Sequence, residues 1–213
     1  MKTEEWVAML AKGESAVEPN MARRRFTTAL GWGSVATVIA MAITLGVRPD
    51  LADVLTNPMF WMKLIFPVLV AVVMVYATVR LGRPGVRLGR LPGILGTLIV
   101  AVWALGILVL LNAAPADRSA LLLGDTWIFC LIAIPLLAIP VFIAAIWAMQ
   151  GLAPTRLSLA GGAAGLLAGA VSAAAYALHC PELGAPFIAV WYVIGMFIPA
   201  LAGALLGPRV LRW

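Results

Sequence analysis

The chain has 213 residues, 63% of them hydrophobic and only 11% charged, with a mean hydropathy of +1.04. A water-soluble domain is nearer half apolar and about a quarter charged, and a disordered chain is polar and highly charged, so both classes are excluded. What remains is an integral membrane protein, and the net charge of +6 must be located along the chain before it is read as a sign of a nucleic-acid partner.

The segment 1–25 comes first and is the one substantial stretch outside the apolar runs. Within it Trp6, Met9 and Leu10 fall on one helical face, with Lys2, Glu4, Glu5 and Lys12 around it. An isolated helix this short is marginal in water, so the segment is expected to order on a partner. Ahead of Arg23, Arg24 and Arg25 it carries Glu4, Glu5, Glu14 and Glu18 against two lysines. That balance repels anionic lipid, whereas a groove on another protein suits the Trp6/Met9/Leu10 face. A frayed tail is the alternative reading.

Six apolar runs follow, over 26–47, 59–79, 92–112, 127–149, 158–178 and 187–206. Each approaches the ~20 residues a helix needs to cross about 30 Å of hydrocarbon. None alternates with period two, which excludes an outer-membrane barrel. The expected fold is therefore an all-α membrane protein: six transmembrane helices over 26–206, short loops, and a tail at 207–213. The first run is longer than the apolar stretch of a cleavable signal peptide and begins after the arginine cluster, so it is expected to stay in the membrane as an anchor.

Twelve of the fifteen Lys and Arg residues fall on one side of this arrangement. They are Lys2, Lys12, Arg23, Arg24 and Arg25 in the first segment, Arg80, Arg83, Arg87 and Arg90 between runs two and three, Arg156, and Arg209 with Arg212. Cytoplasmic loops keep the positive charge, so both termini are expected in the cytoplasm. The charge is thus a topology signal, and direct contact with nucleic acid is not needed to explain it.

The fifth run contains Gly161, Gly165 and Gly169, and the sixth contains Gly195 and Gly203 with Gly207 just beyond. Glycines four apart share a face and let backbones approach closely. Two readings are open: packing of the fifth helix on the sixth, or a face for self-association. Pro67, Pro135, Pro140 and Pro199 lie inside runs and are expected to kink them. Trp61, Trp127 and Trp191 near outer ends, with Trp32, Trp147 and Trp213 near inner ends, read as an interfacial belt.

Intramembrane charge normally marks a transport path. Here Lys63 and Asp125 come closest, and both lie near outer ends where snorkelling suffices. The first and second sets of three runs show no similarity of the kind inverted-repeat transporters carry, so a small-molecule transporter is disfavoured. No nucleotide-binding loop, HExxH or nucleophile elbow appears, so no catalytic residues, no resident cofactor and no enzymatic activity are expected.

The two cysteines, Cys130 and Cys180, lie 50 positions apart but at the same outer side, on consecutive antiparallel helices. Outside a bacterial inner membrane thiols can pair, provided that their Cα atoms approach within about 7 Å. Three readings stay open: a redox or sensor pair, a metal site in which His179 joins the two thiols around a soft cation, or an unremarkable buried hydrophobe and a loop residue. A membrane thiol oxidoreductase using a quinone is a rival from another class. It would normally require a CxxC or two cysteine pairs to relay electrons.

The whole chain also resembles the NrsF-type anti-sigma factors of bacteria, six-helix inner-membrane proteins. The resemblance runs through Arg48-Pro49-Asp50, Phe60-Trp61-Met62-Lys63, and Gly124-Asp125-Thr126-Trp127-Ile128-Phe129-Cys130. It continues through Ala153-Pro154-Thr155, Ala175-Tyr176-Ala177-Leu178-His179-Cys180-Pro181-Glu182, and Trp191-Tyr192-Val193-Ile194-Gly195-Met196, and ends at Gly207-Pro208-Arg209-Val210-Leu211-Arg212-Trp213. Thr126 stands where the family usually has serine, and keeps the hydroxyl. The resemblance implies a protein that holds an extracytoplasmic-function sigma factor at the membrane through its cytoplasmic N-terminal segment. It also implies release on heavy-metal or oxidative stress through a periplasmic-side cysteine pair, roles that map onto residues 1–22, with Trp6, Met9 and Leu10, and onto Cys130 and Cys180.

Overall fold

The computed structural model describes residues 3–7 and 21–212, and among them every regular element is helical. Met9 and Leu10 lie outside the described residues, whereas Trp6 falls in a helical turn over 3–7 with half its surface exposed. Six long elements follow: α1 (Met21–Thr44), α2 (Pro58–Leu81), α3 (Leu91–Asn112), α4 in two pieces (Trp127–Leu137 and Ile139–Gln150), α5 (Leu157–Tyr176) and α6 (Val193–Val210). A short helix, Ala185–Phe187, and a π-helical turn, Ile188–Tyr192, lead into α6. Taken with the short helical segments that lead into α4 and α6, all six are long and apolar enough to cross a membrane.

The ends of these helices have local causes. Asn57 caps α2 by accepting the Met59 N–H at 2.9 Å, and Pro58 follows at the first turn, where its missing N–H leaves nothing unpaired. Beyond α1 the chain turns at Gly46, whose φ of +77° favours glycine. The first helix starts at Met21 rather than 26, and the last continues through Arg209 to Val210. Apolarity locates the hydrocarbon zone, but helical hydrogen bonding extends past it while arginine stems reach for the interface.

Of the four internal prolines, only the Pro135/Pro140 pair accompanies an interruption, a turn at Ala138 that divides α4. Pro67 and Pro199 sit inside helices that continue past them. Two buried hydroxyls tie neighbours to the bent region: Thr37 of α1 donates to the Leu137 carbonyl at 3.0 Å, and Ser172 of α5 donates to that of Ile134 at 2.8 Å.

α5 is the central helix. Two thirds of its apolar window is buried inside the protein, 67% against 11% for α3. Its glycine face is spent on α6: a Cβ added at Gly161 would run into the Gly203 carbonyl, and one at Gly165 into that of Pro199. Gly203 in turn abuts Gly161. Of the two readings of the glycine pattern, intramolecular packing is the one realised. The fifth helix offers no glycine face for self-association, because α6 already occupies it at backbone distance.

The contacts define two ends of the bundle. At one, Arg25 donates to the Trp147 carbonyl at 2.7 Å with its guanidinium 4.2 Å above that indole, and Gln150 donates to the Val210 carbonyl at 3.2 Å. This end brings together the start of α1 and the ends of α4 and α6. At the other end Trp127 and Trp191 lie 4.7 Å apart, and the Trp191 indole donates to the Leu122 carbonyl at 2.7 Å. Trp191 is thus tied into the bundle by a ring contact and a hydrogen bond, which an interfacial belt alone does not require.

Candidate functional site: a buried lysine and two thiols

The end remote from Arg25 is closed by backbone that must leave its helices. After α5 the chain runs through His179, Cys180, Pro181 and Glu182 without regular structure, since Pro181 cannot continue a helix. In an apolar surrounding the carbonyls released there need donors. Lys63 supplies them: its Nζ lies 2.7 Å from the Cys180 oxygen and 2.7 Å from the Glu182 oxygen. Arg48 adds a second donor to the Cys180 carbonyl at 3.2 Å.

This corrects the sequence reading of Lys63. Snorkelling requires an exposed ammonium, and Lys63 is fully buried at 0% exposure. The segment after α5 folds over it, and the Tyr192 ring of the π turn stands 5.5 Å from Nζ as a cation–π neighbour. No carboxylate forms an ion pair with Lys63 among the described residues.

Cys130, in the first half of α4, and Cys180, beyond α5, are both fully buried and both free. Both are part of the packed core, and the Phe129 ring next to Cys130 lies 6.4 Å from that of Tyr176 and 6.1 Å from that of His179, so the first half of α4 meets the end of α5 here. The tertiary structure thus buries both cysteines at this end of the bundle. Tyr176 and Tyr192 flank it, with ring centroids 6.0 Å apart, and each has a buried hydroxyl without a hydrogen-bond partner among the described residues. Phe60, also fully buried, comes from the first turn of α2.

His179, offered by sequence as a third metal ligand, places Nδ1 3.0 Å from the Gly46 carbonyl. Among the described residues no group of three His, Cys, Asp or Glu side chains is placed to share a metal ion. The chemistry at hand is two buried thiols at the end of the bundle that Lys63 closes. A pair of soft ligands suits a low-coordinate soft ion or a disulfide better than a four-coordinate structural zinc.

The periphery is braced by polar ties. Arg48 holds Asp50 through two parallel bonds of 2.7 Å each. Hydrogen bonding to that fork is the main reason the Asp50 carboxyl lies below its ordinary pKa and the Arg48 guanidinium above its own. Glu182 accepts the Asp125 N–H at 2.9 Å. It sits so close to Gly124 that a Cβ there would meet the carboxyl carbon at 2.8 Å, while the φ of +55° independently favours glycine.

The sequence reading missed Lys63, Tyr176 and Tyr192 as members of the site. The available signals were a lysine within an apolar run, and Tyr176 one helical turn before Cys180.

The family model described as "Negative regulator of sigma F" (NrsF) matches residues 10–213. The chain is 49% identical to the "Probable anti-sigma-F factor NrsF" of Azospira oryzae over 213 residues, covering all of both chains. It is 35% identical to the "Anti-sigma-F factor NrsF" of Caulobacter vibrioides over 215 aligned positions, again covering all of both. No solved structure matches.

Proposed function

The chain belongs to the NrsF family, and from that membership we propose that it is a membrane-bound anti-sigma factor of the bacterial inner membrane, with both termini in the cytoplasm and no enzymatic activity. Its N-terminal segment, residues 1–25, sequesters an extracytoplasmic-function sigma factor, with Trp6, Met9 and Leu10 as the apolar contact. The family match over nearly the full chain is the observation that carries this reading. The arginine distribution supports the orientation, and the exposed Trp6 supports the contact.

In this reading the Cys130/Cys180 pair, on the periplasmic side, senses the stress. An oxidant takes two electrons from the thiols, which release two protons as the S–S bond forms; alternatively a heavy-metal ion displaces the thiol protons and bonds both sulfurs. Lys63 links that event to the backbone, because it grips the carbonyl of Cys180 itself and that of Glu182. A bound cation would repel the ammonium and loosen that grip. Moving sigma-factor occupancy from 1:99 to 99:1 requires a bias of about 5.5 kcal/mol between the two states, within the range of metal–thiolate or disulfide bonding.

The reading is tested with the full-length chain in membranes, used to capture sigma factors from the same cell. Native protein is expected to retain one, and the Trp6→Ala/Met9→Ala/Leu10→Ala variant to lose it while inserting normally. Equal retention by both would overturn the assignment of the contact. Single cysteines placed at Arg87 and Glu182 in a Cys130→Ser/Cys180→Ser background are expected to react with an impermeant thiol reagent from opposite faces, Glu182→Cys from the periplasm.

A further inference from the structure

One recess lies away from the thiol site. α3 is the peripheral helix of the bundle, and its later half is fastened at Gly106, which abuts Ala189 and Pro186, and by Trp103, whose indole donates to the Ala189 carbonyl at 2.8 Å. A π turn leaves a carbonyl without its α-helical partner, so this bond has a structural reason. The earlier half of α3 instead borders a cleft of about 270 Å³ shared with α2, α5 and α6, with Met74, Leu95, Leu166 and Phe197 on its walls and almost no polar surface.

Arginines adjoin one rim of that cleft along the chain, and Arg80 reaches it. Leu88 lies in the connection after α2, which carries the exposed Arg87 and Arg90, and Leu91, which follows Arg90 directly, opens α3; both leucines line the cleft. Arg80 donates to the Leu88 carbonyl at 3.1 Å, and Arg156 lies two positions before Ser158 on the facing wall. None of these arginines forms an ion pair among the described residues. In the bilayer the available filler for an apolar recess is a lipid tail, since an empty gap forfeits dispersion contacts. Unpaired cations at its rim favour a negatively charged head.

We propose that the cleft is a binding site for an anionic phospholipid, with one acyl chain between α3 and the α2/α5/α6 face and the phosphate at Arg80, Arg87 and Arg90. The recess accounts for the chain, and charge complementarity for the choice of head. The inference is independent of the sigma-factor reading, because it concerns lipid retention and not regulation.

The test uses the purified full-length protein and native mass spectrometry with phosphatidylglycerol and phosphatidylcholine of identical chains. Retention of phosphatidylglycerol is expected to exceed that of phosphatidylcholine by about tenfold, the scale of one to two basic contacts. Arg87→Gln/Arg90→Gln is expected to remove the preference with an unchanged melting temperature. Ala204→Phe, which fills the cleft, is expected to lower retention of both lipids; Leu95→Phe serves as a second filling variant should the first fail to fold. Equal retention of the two lipids by native protein would overturn the proposal, as would undiminished retention in a folded cleft-filling variant.

Discussion

Lys63 Nζ donates to the carbonyl oxygen of Cys180 at 2.7 Å, so a cation from the first turns of α2 grips the backbone just beyond the end of α5. The contact is wholly buried at the lysine, and the same ammonium reaches the Glu182 oxygen. One side chain thus closes the end of the bundle over the two thiols.

Lys63→Met keeps much of the apolar stem and deletes the donor. The Glu182 oxygen loses its lysine donor and the Cys180 oxygen keeps only Arg48. Each unsatisfied buried group costs about 1–3 kcal/mol. The variant is expected to melt at lower temperature and to expose Cys180 to a maleimide faster than native protein. Unchanged labelling would show that Lys63 does not hold the segment closed.

Cys130→Ser/Cys180→Ser removes both soft ligands and both oxidisable groups while changing little volume. The variant is expected to capture the sigma factor normally and to keep it through cadmium or diamide stress, measured by a reporter of sigma-dependent transcription. Normal induction in that strain would place the sensor elsewhere.

Gly165→Leu drives a side chain into the backbone at Pro199, where α5 and α6 touch. The helices must separate, and a loss of several kcal/mol and poor recovery of folded protein are expected. Gly96→Ala is the control, since nothing lies within 4 Å of its built Cβ and α3 there is peripheral. That change is expected to be neutral or stabilising by up to about 1 kcal/mol. Thermal unfolding in detergent separates the two cases.

The Arg48–Asp50 fork predicts a pH dependence. Asp50 is held below its ordinary pKa in the folded protein, chiefly by the hydrogen bond from Arg48. Its stabilising contribution is therefore complete above the unfolded carboxylate value, about 4, and is lost as pH falls through the lower folded value. Asp50→Asn is expected to melt slightly below native protein at neutral pH, with the difference vanishing in acid. The effect is small because the carboxylate is half exposed to solvent.

Hydropathy along the chain determined the number, type and approximate limits of the spans. Every backbone group in lipid must be satisfied internally, and an apolar run of this length has one such solution, a helix. The glycine spacing told that α5 has a close-contact face, but the choice between α6 and a second copy is not encoded in one helix; it was decided by Gly203 and Gly207 presenting backbone opposite Gly161. The two cysteines could be assigned to one end by counting crossings, whereas their common burial depends on how α4 and the segment after α5 pack. Lys63 marks the boundary most sharply. Its position near the start of an apolar run is compatible with a side chain reaching outward, and only the return of residues 180–182 across α2 turns it inward, because three-dimensional packing supplies two carbonyls in place of water.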